Sequence, residues 1–250
     1  MIRISWMLRN LIESFRCARF SLWPRFKVSK FLALRRIWSV LWFSRENGEH
    51  KMSKKSSQSG STLRAVLTSN ELAAYRLLID RLARGSVNQR IPNGHPMHAA
   101  ILMESMFENA RNDMRIFSGQ LAGETYDQPE LIDAACRFLE RPGARLRILL
   151  QDTLPIEELA RKRLVVELAE KNSRRLGAME LRTATGVYAS GAAKHFAVMD
   201  DRGFRFEVDH PGTQAIANFN EQDAARDLSA AFDAAFRMAK PVICPDWLPQ

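Results

Sequence analysis

The sequence from about residue 63 onward predicts one α/β domain, with a mixed, mainly parallel sheet flanked by helices on both faces. Two patterns predict this class. In the middle of the chain, short apolar strands alternate with amphipathic helices, as in the βαβ units of parallel sheets. In the last third, two strands flank a tight turn, which predicts a hairpin. A chain of 250 residues is long enough for one well-buried domain with an appendage.

The domain begins with two predicted helices. Thr68 and Glu71 have the spacing of a capping box and predict the start of an amphipathic helix. The Gly, Pro and Asn content of residues 85–96 predicts a loop. A second helix is predicted from about Met97 to Ala110, because apolar residues recur there at helical spacing.

Strands and helices then alternate. The predicted strands are Met114–Ser118, Arg145–Gln151 and Met179–Arg182. The predicted helices between them are about Pro129–Leu139 and Ile156–Glu170. This order is typical of βαβ units, and it is the reason that the sheet is predicted to be mainly parallel.

The last third of the chain has a different pattern. His195–Met199 reads as a buried strand, Asp200–Gly203 as a turn, and Phe204–Val208 as the returning strand of a hairpin. Gln214–Asn218 predicts a further edge strand. The closing helix is predicted over about Glu221–Met238, where apolar residues fall on one face.

The positive charge is concentrated before the domain. The chain has a net charge of +9, and residues 1–51 hold 11 Lys or Arg against 3 acidic residues, a net charge of +8. The domain is therefore nearly neutral, so its charge gives no strong reason to expect nucleic-acid binding. Nucleic acid is still not excluded as a partner. The three cysteines, Cys17, Cys136 and Cys244, are far apart and fit reduced thiols in a cytoplasmic protein.

Residues 1–51 form a basic, tryptophan-rich extension with two interpretations. Its longest uncharged run, Ile37–Ser44, is far shorter than the roughly 20 apolar residues of a spanning helix. The extension could lie on an anionic membrane as an amphipathic segment. Alternatively, translation begins at Met52 rather than Met1 and the extension is not made. Residues 52–62 are a polar Ser/Lys run, which predicts a disordered linker before the domain at residues 63–250.

The order of elements in residues 97–238 resembles one repeat of the phospholipase D superfamily. The stretches that carry the resemblance are Ile116–Ser118, Arg147–Gln151, His195–Gly203 and the helix around Ala224–Phe236. The resemblance implies an α/β fold and an active site on the strand that contains Phe196. It also implies a homodimer, since superfamily members with a single catalytic motif dimerise to obtain the second copy.

The catalytic motif of that superfamily, His-x-Lys-x-x-x-x-Asp, is absent. When Asp200 is aligned with the family aspartate, Ala193 and His195 take the histidine and lysine positions. When His195 is aligned with the histidine, Ala197 and Arg202 take the other two positions. Lys194 is adjacent to His195, and neighbouring residues on a strand point to opposite faces, so the two cannot share a phosphate. Ordinary phosphodiesterase chemistry is therefore not expected.

Several residues are still candidates for a site. His195 is the candidate catalytic residue, and Lys194, Arg145, Arg147 and Asn218 are candidate ligand-binding residues. A further histidine, His98, is interpreted as a surface or capping residue, and His95 and His210 carry little weight. An acidic group around the hairpin could bind a divalent metal but is more typical of a solvated turn; it comprises Asp200, Asp201, Glu207 and Asp209. No metal site and no cofactor are predicted, since the sequence has no phosphate-binding loop or dinucleotide glycine motif.

Three functional hypotheses follow. The first is a non-catalytic phospholipase D-like module, homodimeric and in a bacterial-type cytoplasm, that binds a phosphate-bearing ligand or a partner protein. The second is a diverged phosphodiesterase or nuclease that uses His195 with a basic partner such as Lys194 or Arg147. The third is a peripheral membrane protein held by residues 1–51.

Overall fold

The computed structural model describes residues 67–85, 87–173, 178–189, 194–208 and 214–242. All of them belong to the second of the two units into which the chain divides, residues 54–250. The predictions for the extension and linker, and those for Cys17, Cys244, Asp209 and His210, concern positions outside the described residues.

Seven helices and eight strands are present in the described part of the chain. The helices are α1 Ser69–Arg84, α2 Pro96–Asn109, α3 Gly123–Tyr126, α4 Pro129–Leu139, α5 Ile156–Leu159, α6 Arg163–Ser173 and α7 Gln222–Met238. The strands are β1 Ile91–Asn93, β2 Asp113–Ser118, β3 Arg145–Leu150, β4 Ala178–Thr183, β5 Phe196–Met199, β6 Gly203–Glu207, β7 Ala215–Asn218 and β8 Lys240–Pro241. A 3₁₀ turn covers Gly186–Ala189.

The strands form one sheet in the order β1-β7-β6-β5-β2-β3-β4-β8. The α/β class and the mixed sheet are confirmed, but the expectation of a mainly parallel sheet is wrong. Only β2 with β3 and β3 with β4 pair in parallel, and the other five pairings are antiparallel. The βαβ units supply the two parallel pairings. The five antiparallel pairings come from β5, β6 and β7, which follow one another in the sheet and join it at β2, and from the edge strands β1 and β8.

Helices cover both faces of the sheet, as predicted. Alternate residues of a strand point to opposite faces. Ile116, Ile148 and Ala197 face the core that α1 to α6 cover, which is called the six-helix face here. Phe117 and Val198 are among the residues on the other face, where they pack against α7. In the described residues, no helix is long and apolar enough to cross a membrane.

The edge strand β1 lies in the segment that was expected to be a loop. Its three residues pair antiparallel with β7, and Pro92 lies at the centre with its side chain exposed. Proline cannot donate to a strand ladder, so it is tolerated at a sheet edge. Such a short strand with a central proline has no alternating pattern that could distinguish it from a turn.

The turn between β5 and β6 is built by two aspartates with positive φ. Asp200 has φ 48° and Asp201 has φ 52°, a region that disfavours most side chains but tolerates aspartate. The Asp200 carboxylate accepts hydrogen bonds from the backbone N–H groups of Arg111, Asn112 and Asp113, at 2.5 to 3.0 Å. These bonds attach the turn to the beginning of β2.

Candidate functional site

His195 lies immediately before β5, beside the ends of β2 and β3. A Cβ on Gly119, which follows β2, would lie 3.1 Å from the imidazole Cε1. The edge of the Phe117 ring also contacts the imidazole, with the ring centroids 5.9 Å apart. The glycine therefore allows the imidazole to approach the backbone closely at this end of the sheet.

Both ring nitrogens of His195 are within hydrogen-bonding distance of side-chain oxygens. Nδ1 lies 3.1 Å from Oε2 of Glu207, and Nε2 lies 2.8 Å from Oε1 of Gln151. Glu207 also accepts a hydrogen bond of 3.0 Å from Nη1 of Arg205 through its other oxygen. These four residues, His195, Glu207, Arg205 and Gln151, are called the His195 cluster.

The His195 cluster is largely buried. The side chains of His195, Glu207 and Arg205 are 12%, 19% and 9% exposed. Burial by itself raises the pKa of the Glu207 carboxyl, but hydrogen bonds and positive charge from His195 and Arg205 outweigh burial and lower the pKa to about 2. Glu207 is therefore ionised at neutral pH and contacts both the Arg205 guanidinium on its own strand and the His195 imidazole on the neighbouring strand.

Sequence reasoning missed Arg205 and Gln151, and it placed Glu207 only in the acidic group. A signal for Glu207 was available in the predicted hairpin. Met199 pairs with Gly203 beside the turn, and the pairing continues residue by residue to Phe196 with Phe206. The next pair in this register is His195 with Glu207. Arg205 shares the strand face of Glu207 because the two are two residues apart. The sequence carries no comparable signal for Gln151, which comes from a different part of the chain.

Arg145 and Arg147 do not belong to the His195 cluster. They lie on the α7 face, where Arg147 donates to Asp233 at 2.8 Å and to Asp113 at 2.9 Å. Arg145 donates to the same Asp113 carboxylate at 3.3 Å. The idea that Arg147 is the basic partner of His195 is therefore wrong, because the two side chains lie on different parts of the sheet and Arg147 is held by two carboxylates.

The other two candidate ligand-binding residues have different surroundings. Lys194 is exposed beside His195. Asn218 is buried and its amide donates to Asn88 at 2.7 Å and to Glu221 at 3.0 Å, while its oxygen accepts from the Asn220 backbone. Glu221 takes the N-cap position of α7, and its side chain makes no capping hydrogen bond. Asn218 joins the end of β7 to the segment before β1, at a distance from His195.

The expected acidic group is divided between the two ends of the hairpin. Asp200 and Asp201 lie at the turn, where Asp201 accepts from Arg115 at 2.8 Å and also contacts Ser229. Glu207 lies at the opposite end, next to His195. Among the described residues, no three acidic, histidine or cysteine side chains are grouped in a way that could hold a metal ion.

His95 and His98 are near each other at the beginning of α2. His95, rather than His98, caps this helix, and its Nδ1 accepts from the Met97 backbone at 3.1 Å. The His98 ring stacks on the Tyr75 ring with the centroids 3.9 Å apart. Burial lowers the pKa of His98, and the neighbouring His95 lowers it further.

Comparison with known proteins gives similarity in fold and one family match. No curated protein matches the chain. Among solved structures, TrmBL2, an archaeal chromatin protein, is 16% identical with a TM-score of 0.46, over 70% of this chain and 63% of its own. Nuc from Salmonella typhimurium, a phospholipase D family member, is 13% identical with a TM-score of 0.44, over 62% of this chain and 97% of its own. NucT from Helicobacter pylori is 10% identical with a TM-score of 0.43, over 62% of this chain and 99% of its own.

This chain therefore spans less than two thirds of the archaeal protein. Structural similarity of this degree does not transfer an activity or a ligand. A family model described as a domain of unknown function, DUF7931, matches residues 95–246, which is more than half of the chain. The match includes every member of the His195 cluster.

Proposed function

The chain belongs to the DUF7931 family, and we propose that it is a non-catalytic module that binds a phosphate-bearing ligand at the His195 cluster. The observation that carries this proposal is the pair of contacts at the imidazole, 3.1 Å from Nδ1 to Glu207 and 2.8 Å from Nε2 to Gln151. Both ring nitrogens are thereby occupied by contacts with protein side chains. Neither nitrogen is directed at a ligand as a nucleophile that could attack phosphorus.

The Arg205 guanidinium supports an anionic ligand. It is a cation whose side chain is only 9% exposed, and one of its nitrogens donates to the Glu207 carboxylate. Hydrogen bonds from a guanidinium to a charged phosphate oxygen are among the stronger ones. Arg205 Nε is buried and has no hydrogen-bond partner in the described residues, so the guanidinium still has a donor to offer.

Thermal unfolding in the presence of inorganic phosphate tests the proposal. We expect phosphate at about 10 mM to raise the Tm of the full chain relative to chloride at equal ionic strength. His195→Ala should remove this increase. Arg226→Gln is the matched control, since Arg226 is exposed on α7 and its loss changes the net charge away from the cluster. An unchanged Tm in the wild type, or an equal increase in His195→Ala, would contradict the proposal.

A phosphodiesterase is the second candidate, and the contact between His195 and Glu207 favours it. A carboxylate that orients an imidazole through one nitrogen leaves the other nitrogen directed at a substrate in many hydrolases. Here Gln151 occupies that nitrogen, so catalysis would require the glutamine to move. Hydrolysis of bis(p-nitrophenyl) phosphate by the wild type or by Gln151→Ala, with loss of activity in His195→Ala, would replace the binding module with an enzyme.

A homodimer and a cytoplasmic location stay predictions. Sedimentation equilibrium of the full chain with and without phosphate would measure the association directly. A monomer at all concentrations would contradict the dimer without affecting the proposed binding, because the contacts of the His195 cluster described above all lie within one chain.

A further inference from the structure

Polar residues continue from the His195 cluster across the six-helix face toward the edge strand β1. Asn93 pairs with Ala215, and Ala215 pairs with Glu207. In the neighbouring row, Ile91 pairs with Ala217, and Ala217 pairs with Arg205. Adjacent strands are about 4.8 Å apart, so Asn93 and Glu207 lie about 10 Å apart across β7.

The two residues of β7 between these side chains are alanines. Ala215 and Ala217 are buried and present only a methyl group to the six-helix face. Asn93 on one side has an amide side chain, and Arg205 on the other has a guanidinium. The two small alanines therefore separate two polar side chains on the buried six-helix face, next to the His195 cluster.

Three residues, on α1, β1 and β6, have buried polar atoms without a hydrogen-bond partner in the described part of the chain. These atoms are Oη of Tyr75, both Nδ2 and Oδ1 of Asn93, and Nε of Arg205. Asn93 is only 5% exposed. Folded proteins leave few buried polar groups unpaired, so these atoms are available to contact a ligand or bound solvent.

Tyr75 lies close enough to Arg205 to respond to its charge. Burial raises the pKa of Tyr75 to about 12, while the Arg205 charge acts in the opposite direction. The hydroxyl is therefore protonated at neutral pH and can donate a hydrogen bond. The Tyr75 ring is held by its stacking on His98, which gives the hydroxyl a fixed position.

We infer that Tyr75, Asn93 and Arg205 form a second part of the binding site, which holds the organic group attached to the phosphate. This inference rests on the proposed function. The Asn93 amide has an NH₂ donor beside a carbonyl acceptor. A ligand group that matches it has a carbonyl acceptor beside an N–H donor, as the edge of a lactam does. Tyr75 and Asn93 precede the residues that the family model matches, 95–246. They would therefore set the specificity of this chain rather than a property shared by the matched domain.

Calorimetric titration of the full chain with three probes tests the inference. The probes are inorganic phosphate, ribose 5-phosphate and uridine 5′-monophosphate, of which only the last has a lactam edge. We expect the uridine compound to bind about tenfold more tightly than ribose 5-phosphate, since one or two buried hydrogen bonds are worth about that factor. Asn93→Ala should abolish the preference, and Tyr75→Phe should reduce it severalfold while it keeps the aromatic ring. Both variants should bind inorganic phosphate as the wild type does.

Tyr188→Phe is the matched control, because Tyr188 packs on the α7 side of the sheet. The inference would be overturned if the wild type bound ribose 5-phosphate and uridine 5′-monophosphate equally tightly, or if Asn93→Ala still preferred the uridine compound. Either result would leave the proposed phosphate site in place. Binding of the uridine compound through Asn93 without any dependence on His195 would support this second part and contradict the proposed phosphate contact. If none of the three probes binds, both proposals fail.

Discussion

Replacing Glu207 with glutamine removes the carboxylate that holds His195 and Arg205 together. The change is nearly isosteric, so it alters charge with little change in packing. Arg205 and His195 would then be largely buried without their anion. Breaking a buried ion pair by removing one partner costs about 3–5 kcal/mol, because the remaining charge is uncompensated.

The pKa of Glu207 gives a second estimate and a pH dependence. A pKa lowered from 4.5 to about 2 corresponds to about 3 kcal/mol of stabilisation. A carboxyl whose pKa is lower in the folded chain stabilises the fold above the unfolded value, here 4.5. The stabilisation is lost as the pH falls from 4.5 toward 2.

Urea unfolding of the full chain at several pH values, followed by circular dichroism, measures both quantities. We expect Glu207→Gln to unfold with about 3 kcal/mol less free energy than the wild type at pH 6. The difference should shrink between pH 4.5 and pH 2, because the wild-type carboxyl becomes protonated there. Taking the difference between the two proteins cancels the titration of all other carboxyls.

Asp223→Asn provides the matched control, since the Asp223 side chain is fully exposed on α7. Its effect on the free energy of unfolding should be much smaller than that of Glu207→Gln. A Glu207→Gln variant as stable as the wild type at pH 6, or a difference that does not change with pH, would refute the role assigned to this carboxylate.

Three more variants test other parts of the structure. Gly119→Ala places a methyl group 3.1 Å from the His195 ring, so phosphate binding measured by calorimetry should weaken while stability falls by only about 1 kcal/mol. Asp200→Ala removes three hydrogen bonds from backbone N–H groups, so the free energy of unfolding measured in urea should fall by at least about 2 kcal/mol. A decrease below about 0.5 kcal/mol, as for an ordinary surface substitution, would contradict this role. Arg147→Met leaves Asp233 without one of its partners and should destabilise the fold by about 3 kcal/mol, whereas the phosphate affinity of the folded protein should be unchanged.

Much of the fold could be predicted because local patterns determine it. The capping box at Thr68, the strand Arg145–Leu150 and the closing helix are each encoded by neighbouring residues. The proportion of parallel pairing could not be predicted in this way. It depends on how the hairpin joins the rest of the sheet, because β5 pairs antiparallel with β2 and β7 pairs antiparallel with β6. The edge strands β1 and β8, of three and two residues, add two more antiparallel pairs.

The site was predicted in part for a similar reason. His195 was identified from its place on a strand, and the cations considered as its partners were Lys194, next to it in sequence, and Arg147 on another strand. The cation comes instead from Arg205 on the next strand, through the shared carboxylate of Glu207. Gln151 arrives from the end of β3, 44 residues earlier in the chain. Contacts between strands depend on register, which single-strand spacing does not contain.

The aspartate turn has a consequence for the opposite end of the hairpin. Side chains alternate between the two faces of a strand, so inserting one residue between Asp201 and Gly203 would turn every later side chain of β6 over. Glu207 would then be directed toward α7, and Phe206 would take its place beside the imidazole. The attachment of Asp200 to the start of β2 resists such a slip. The contacts of Asp200 at the turn thus help to set which side chain faces His195 at the opposite end of the hairpin. A change at the turn could therefore remove the contact between Glu207 and His195 without changing either residue.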